Sequence, residues 1–195
     1  MKTAERQQAE NVLDIEKSHV LRYQFSRKNI PLASRVLDYG CGCGYGSYIL
    51  AQGGHEVVGC DVDQESIQFS IENYHHPNAC FIRTEDLSYE KAFDAIVLLE
   101  VLEHLEEPET ILKRILRKLR KEGTFIISTP DQDVRPFDAK RFPFHFKHFT
   151  KSELTELLDS HRLKVIGKFN QPNKIKPEIL NGWGGFSNIT VCEKQ

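Results

Sequence analysis

The sequence predicts an α/β fold: a single doubly wound, mostly parallel seven-stranded sheet with helices on both faces and an antiparallel edge hairpin. Three observations carry this. Apolar, strand-like runs alternate with segments of helical spacing along most of the chain, the signature of parallel strands joined by crossover helices. The first strand-like run empties into a glycine-rich turn. The 195 residues are enough to bury a sheet on both sides, and no repeat, low-complexity tract or linker divides residues 1–195 into more than one domain.

Taken in order, Val12, Ile15, His19, Val20 and Tyr23 recur at helical spacing, so residues 3–28 read as an amphipathic helix within an N-terminal helical segment, 1–30, that Pro31 ends. Strands are expected near 35–38, 56–60, 79–82, 94–99, 123–128, 163–169 and 186–192. Helices are expected near 45–52, 63–74, 108–120 and 151–160, the last opened by Thr150 with Glu153 completing a capping box. Between the last two strands lies only a stretch bearing proline and glycine, so they should form the edge hairpin. Two segments, 131–147 and 170–185, are long enough to be candidate substrate loops.

Composition narrows the partners. Lysine and arginine total 26 against 28 aspartates and glutamates, which gives no whole-chain argument for nucleic acid. The stretch from Arg135 to Lys176 is locally basic, suited to an anionic substrate or to an ordinary solvated face. No run approaches the roughly 18 apolar residues of a membrane span, and the polar start of the chain points to the cytoplasm. The five cysteines read as reduced, buried small side chains, since Cys41 and Cys43 have no partner pair at zinc spacing.

Chemistry begins at Val36-Leu37-Asp38-Tyr39-Gly40-Cys41-Gly42-Cys43-Gly44-Tyr45-Gly46. Glycine at every second position permits positive φ and bare backbone against a ligand, and the helix that follows aims its N-terminus at the turn. A dinucleotide loop would need Gly-x-Gly-x-x-Gly, but the third glycine position falls on Tyr45 or Ser47. Glu56 to Asp61 forms the second strand and ends in an acid about twenty residues on, where one carboxylate can bind two ribose hydroxyls. Asp61 could instead cap the next helix, a place Asp63 fills better.

The Asp-x-Gly-x-Gly-x-Gly run from Asp38 to Gly44 resembles motif I of class I S-adenosylmethionine-dependent methyltransferases, and the Glu100-x-x-Glu103-His104 run resembles their ubiquinone-biosynthesis-like, type 11 and type 23 methyltransferase-domain group. Further matches extend from about His19 to Glu156. The resemblance implies S-adenosyl-L-methionine as cofactor, held by Asp38 at the methionine amino group, by Gly40, Cys41, Gly42 and Gly44 in the loop, and by Asp61 and Val62 at the ribose. It places the adenine against Glu85, Asp86 and Leu87, with Glu85 as side-chain contact and Asp86 as backbone donor, or the reverse.

The run Phe93 to Leu105 reads as a buried strand ending in carboxylates, so Leu99, Glu100 and His104 should face the methyl-bearing end of the cofactor. Glu100, Glu103 and His104 would share overlapping faces of a helix. His104 is the natural proton acceptor, with Glu100 and His145 as further catalytic candidates. The Glu-x-x-Glu-His run and the His145-x-x-x-Phe149-Thr150 run also resemble small-RNA 3′-end 2′-O-methyltransferases, in which the matching residues, Glu100, Glu103, His104 and His145, would bind a divalent cation such as Mg²⁺ or Mn²⁺. The other reading is no metal, with Glu103 and His104 structural. Arg22, in the His19-x-x-Arg22-Tyr23 element, is either a cofactor or substrate contact or an exposed helical arginine. Phe137, Phe142, Phe144, Phe146 and Trp183 either line an acceptor pocket or cover core.

Three functions follow as expectations. The first is methyl transfer to a small-molecule acceptor, at oxygen before nitrogen. The second is metal-dependent methylation of an RNA 3′ end, and the third is a non-catalytic S-adenosylmethionine-binding module. The acceptor and the oligomeric state are not readable from the sequence.

Overall fold

A computed structural model describes residues 7–88, 90 and 92–195. The chain divides into two compact units between residues 89 and 90. Residues 3–6 of the expected N-terminal helix lie outside the described residues.

In the first unit the expected continuous helix is two pieces: a 3-10 turn, Val12–Asp14, and α1, Lys17–Asn29. Asn11 closes the turn by accepting the Leu13 N–H at 2.9 Å, and Ile15 is extended, which breaks the helical run. The buried face of α1 is also not apolar, because its buried residues are Ser18, Arg22, Tyr23 and Ser26. The helix stops before Ile30, whose extended ψ of 134° is what the following proline demands.

Then come β1 (Arg35–Tyr39), α2 (Tyr45–Ala51), β2 (Glu56–Asp61), α3 (Gln64–Asn73) and β3 (Ala79–Arg83). The three strands are parallel, with β2 central, Asp38 beside Gly59 and Asp61 beside Arg83. That register brings the carboxyl ends of β1 and β2 level. Asp63 caps α3, accepting the Ser66 N–H at 2.9 Å and its hydroxyl at 2.7 Å, so Asp61 is spared that task.

The second unit holds β4 (Phe93–Leu99), α4 (Pro108–Leu116), β5 (Leu119–Pro130), α5 (Lys151–Ser160), β6 (Leu163–Gln171), β7 (Leu180–Asn181) and β8 (Ser187–Lys194). Pro108 opens α4 where its missing N–H costs nothing. The helix expected to 120 ends at Leu116, since fully buried Leu119 already pairs with Phe93 in the sheet. β4 and β5 are parallel, while β8 lies antiparallel to both β5 and β6 and so runs between them. The hairpin strands do pair antiparallel, but β8 is not an edge strand. Two-residue β7 pairs with the far side of β6, an eighth strand too short to show as a periodic run. Phe93, Ile96, Leu98, Phe125, Ile126 and Ile127 are fully buried, the near-continuous apolar runs of strands covered on both faces.

The segment from Asp131 to Phe149 is ordered by its first residue. Buried Asp131 accepts from the Asn188 amide and the Asp133 N–H, both at 2.9 Å, and its carbonyl accepts the Arg135 N–H at 2.7 Å. Phe142 is buried and Phe144 and Phe146 are exposed, so these aromatics divide between core and surface. Trp183 is fixed by a bond to the Thr190 hydroxyl and lies under the Lys168 ammonium, 4.1 Å from its ring. Cys41, Cys43, Cys60 and Cys192 are buried thiols in no disulfide; Cys80 is exposed, contrary to expectation, because β3 covers its residues only partly. Among the described residues no helix is long and apolar enough to cross a membrane.

Candidate cofactor loop and acid–histidine cluster

The loop after β1 is made by its glycines. Gly40, Gly42 and Gly44 have φ of 77°, 53° and 87°, the left-handed region that costs other residues about 1–2 kcal/mol. The Gly40 and Cys41 N–H groups donate to the Cys60 carbonyl at 2.8 and 3.0 Å, tying the loop to β2. Asp61 then receives the Gly42 N–H at 2.9 Å on one oxygen and the Asp63 N–H at 3.0 Å on the other. Two backbone donors fix that carboxylate level with the loop.

The glycines differ in what a side chain would meet. A Cβ on Gly44 would come within 2.6 Å of Ser70, and one on Gly46 within 2.0 Å of the Tyr23 ring, but one on Gly42 meets nothing within 4 Å. Gly44 and Gly46 are therefore required by packing within the protein, whereas Gly42 presents bare backbone to open space beside Asp61. This is the cradle that a nucleoside-bearing cofactor needs, and the residues present fit it.

Asp38 is 0 % exposed, accepting from the Tyr23 hydroxyl at 3.1 Å and the Ser47 hydroxyl at 2.7 Å. The structure thus places it as the internal tie between α1, β1 and α2, where the sequence had suggested a contact to the methionine amino group. Burial pushes its carboxyl up to about 6, against the pull of Ser47 and Tyr23, and nearby Asp61 adds to the rise. Arg22 is 4 % exposed, which overturns the exposed alternative. His19 Nδ1 lies 3.1 Å from the Tyr45 hydroxyl. Val62 is 69 % exposed beyond the end of β2. Glu85 and Asp86 sit exposed on a 3-10 turn, Thr84–Asp86, with Glu85 paired to Arg83 at 3.3 Å, and Leu87 is buried.

In the second unit, β4 ends at buried Leu99. Glu100 follows with φ 53°, strained for a residue with a side chain. Its N–H donates to the Ser128 carbonyl at 3.0 Å, and its carboxylate accepts from the Ser128 and Ser187 hydroxyls at 2.7 and 3.0 Å. The 3-10 turn Leu102–His104 comes after it, so Glu100 does not share a helix face with Glu103 and His104. The four-residue cation set is likewise not assembled: Glu103, His104 and His145 bring ligand atoms within 4.8 Å of one another, and Glu100 stands outside, held by its serines.

Glu103 is 1 % exposed and receives the Thr129 hydroxyl at 3.3 Å. The His104 and His145 rings meet edge to face, centroids 4.5 Å apart. His104 Nδ1 is 2.9 Å from the Phe144 carbonyl. A carbonyl only accepts, so the proton is on Nδ1 and Nε2 carries the lone pair. The Phe146 N–H donates to the Glu103 carbonyl at 2.8 Å, so residues 144–146 are stitched twice to the turn. Burial first, then His104, His148 and Arg135, push His145 down to about 4. His145 is therefore a neutral imidazole near neutral pH. Two imidazoles and a carboxylate could equally hold a borderline divalent cation, Mn²⁺ more readily than Mg²⁺.

Several residues of these sites were not singled out from the sequence. Ser47, Ser128, Thr129 and Ser187 carry no motif, and only the carboxylates they serve could have pointed to them. His148 did carry a signal, the His-x-x-His spacing with His145.

The family defined as "Methyltransferase domain" matches residues 7–167. A probable S-adenosylmethionine-dependent methyltransferase of Mycolicibacterium smegmatis is 32 % identical over 137 residues, 67 % of this chain and 52 % of the relative. A ubiquinone biosynthesis O-methyltransferase of Xanthomonas campestris is 30 % identical over 164 residues, 74 % of this chain and 68 % of the relative. The chain spans about half the length of the mycobacterial relatives it matches. Among solved structures, a Pyrococcus horikoshii protein superposes with a TM-score of 0.76 at 22 % identity, covering 95 % of this chain and 93 % of the other. A 1,6-didemethyltoxoflavin-N1-methyltransferase of Burkholderia thailandensis superposes with a TM-score of 0.72 at 21 % identity, covering 95 % and 81 %. The chain belongs to the class I S-adenosylmethionine-dependent methyltransferases and has their Rossmann-like fold.

Proposed function

We propose that this chain methylates an oxygen of a small-molecule acceptor, with His104 Nε2 taking the acceptor's proton and His145 beside it as a second acceptor. The single observation that carries this is the tautomer of His104: its Nδ1 proton is spent on the Phe144 carbonyl, leaving Nε2 as a base in a cluster with a buried carboxylate. A hydroxyl nucleophile must shed its proton as the new bond forms, and a neutral imidazole is the side chain suited to receive it near neutral pH. When bound, S-adenosylmethionine supplies an electrophilic methyl group on a sulfonium. The chain's part is to hold that cofactor on the open backbone at Gly42 and on Asp61, with Leu99, Val62 and the Glu85–Leu87 turn as further contacts. Glu100 serves by its strained, doubly held geometry at the end of β4, as a positioning residue. The oxygen preference is also favoured by the name of the Xanthomonas relative.

The test is calorimetric titration with S-adenosylhomocysteine, followed by S-adenosylhomocysteine release from S-adenosylmethionine across a panel of hydroxylated acceptors. Binding together with acceptor-dependent release that falls at least about 100-fold in His104→Gln is expected, the range general-base removal produces. Absence of binding would sink the proposal, and binding without release on any acceptor would favour a non-catalytic module. A second reading, a divalent cation at Glu103, His104 and His145, is favoured by their convergence within 4.8 Å. Repeating the titration with Mn²⁺ and Mg²⁺ tests it. The RNA 3′-end reading leans on the same cation and lacks its fourth ligand, Glu100.

A further inference from the structure

His145 is met by another side chain, where His104 is met by a backbone carbonyl. Its Nδ1 lies 2.7 Å from His148 Nε2, and His148 Nδ1 lies 2.6 Å from the Arg135 carbonyl. The order of protons along this chain is forced from its far end. The carbonyl can only accept, so His148 carries its proton on Nδ1 and offers a lone pair at Nε2; His145 must then donate from Nδ1 and carry its own lone pair on Nε2.

We infer that His148 is the positioning residue for His145, setting both the tautomer and the ring orientation that make His145 Nε2 a proton acceptor. The surroundings suit that task. His148 is 2 % exposed, with the Phe142 ring 4.8 Å and the Phe137 ring 5.6 Å from its own, so water does not replace it as the partner of His145. Phe142 also stacks on His145 at 5.2 Å with an angle of 21° between the rings, which fixes the plane about which the tautomer is chosen. The anchoring carbonyl is itself placed, since the Arg135 N–H donates to Asp131 at 2.7 Å and the Arg135 guanidinium lies 4.5 Å over Phe142. Phe149, next to His148, accepts the Gln132 N–H at 3.0 Å. The relay therefore ends on backbone tied to the exit of β5. A ring nitrogen oriented by a second hydrogen-bonded group is how proteins choose which imidazole nitrogen does chemistry. The catalytic consequence rests on the methyl-transfer reading above; the tautomer itself does not.

The experiment uses the full chain labelled with ¹⁵N-histidine, without cofactor or acceptor. Long-range ¹H–¹⁵N spectra read the protonated nitrogen of each ring, with His145 assigned by its loss in His145→Gln. In the native chain His145 should be protonated on Nδ1, with a scalar coupling across the bond to His148 Nε2. His148→Gln, whose amide can both accept and donate, should keep that tautomer. His148→Phe should move the tautomer ratio toward Nε2–H by up to about tenfold, the scale of one hydrogen bond. A native His145 protonated on Nε2, or a folded His148→Phe chain with an unchanged ratio, overturns the inference. If His148→Phe does not fold, the coupling in the native chain decides: its presence supports the relay and its absence overturns it. An inactive chain with the relay intact would count against the methyl-transfer reading alone.

Discussion

The glycine loop of the first unit and the acid–histidine cluster of the second are built by opposite means. The loop is a contiguous stretch whose shape comes from backbone: three glycines at positive φ, two N–H groups on the Cys60 carbonyl and one on Asp61. The cluster joins a turn at 102–104 to a loop 40 residues further on, and its shape comes from side chains and borrowed carbonyls. A backbone site tolerates little change in residue size but needs few partners. A side-chain site depends on every link that orients it.

The largest expected effect tests the packed side of the loop. Gly46→Ala drives a methyl group into the Tyr23 ring and strains the Tyr23–Asp38 bond, so chemical denaturation should show a loss of about 3 kcal/mol. Next is the buried acid beneath the loop. The carboxyl of Asp38 sits at about 6 in the fold against 3.8 ordinarily. A raised value means stability that is full below about pH 4 and lost as pH rises through about 6, by ~2–3 kcal/mol. Asp38→Asn should abolish that slope, and melts at a series of pH values would show it; a parallel slope in the variant would contradict it.

The open side of the loop should behave differently from the packed side. Gly42→Ala should cost only about 1 kcal/mol of stability, the left-handed penalty, because no atom lies within 4 Å of the added methyl. Its affinity for S-adenosylhomocysteine should nonetheless fall at least about tenfold, corresponding to ~1.4 kcal/mol of lost contact. The smallest effect sharpens the contrast. His145→Asn should leave that affinity within about twofold, since it alters none of the loop's glycines or their N–H groups. A large loss there would show that the two sites are not separable.

Much of the loop was legible because its requirements are local. Glycine spacing states where φ is positive, and the run from Glu56 to Asp61 states where the next carboxylate falls. The capping box at Thr150 and Glu153 could be read in the same way. Less of the cluster was legible. Helical spacing put Glu100, Glu103 and His104 on one face, but the chain leaves β4 through a left-handed Glu100, and two serines from β5 and β8 claim its carboxylate. The reading of α1 failed for a related reason: its buried face is chosen by Asp38, which requires the Tyr23 hydroxyl, and not by the apolar residues that set the expected stripe.

By itself the sequence determined the fold class, seven of the strands, the glycine turn and the identity of the acids at the ends of β1 and β2, because periodicity and φ preference are properties of neighbouring residues. Only the tertiary structure decided that β8 runs between β5 and β6, that Asp38 faces inward while Asp61 meets the loop backbone at Gly42, and which nitrogen of each cluster histidine carries a proton. Those choices are made by hydrogen-bond partners brought together from distant parts of the chain, and a lone pair has no direction until its partner is in place.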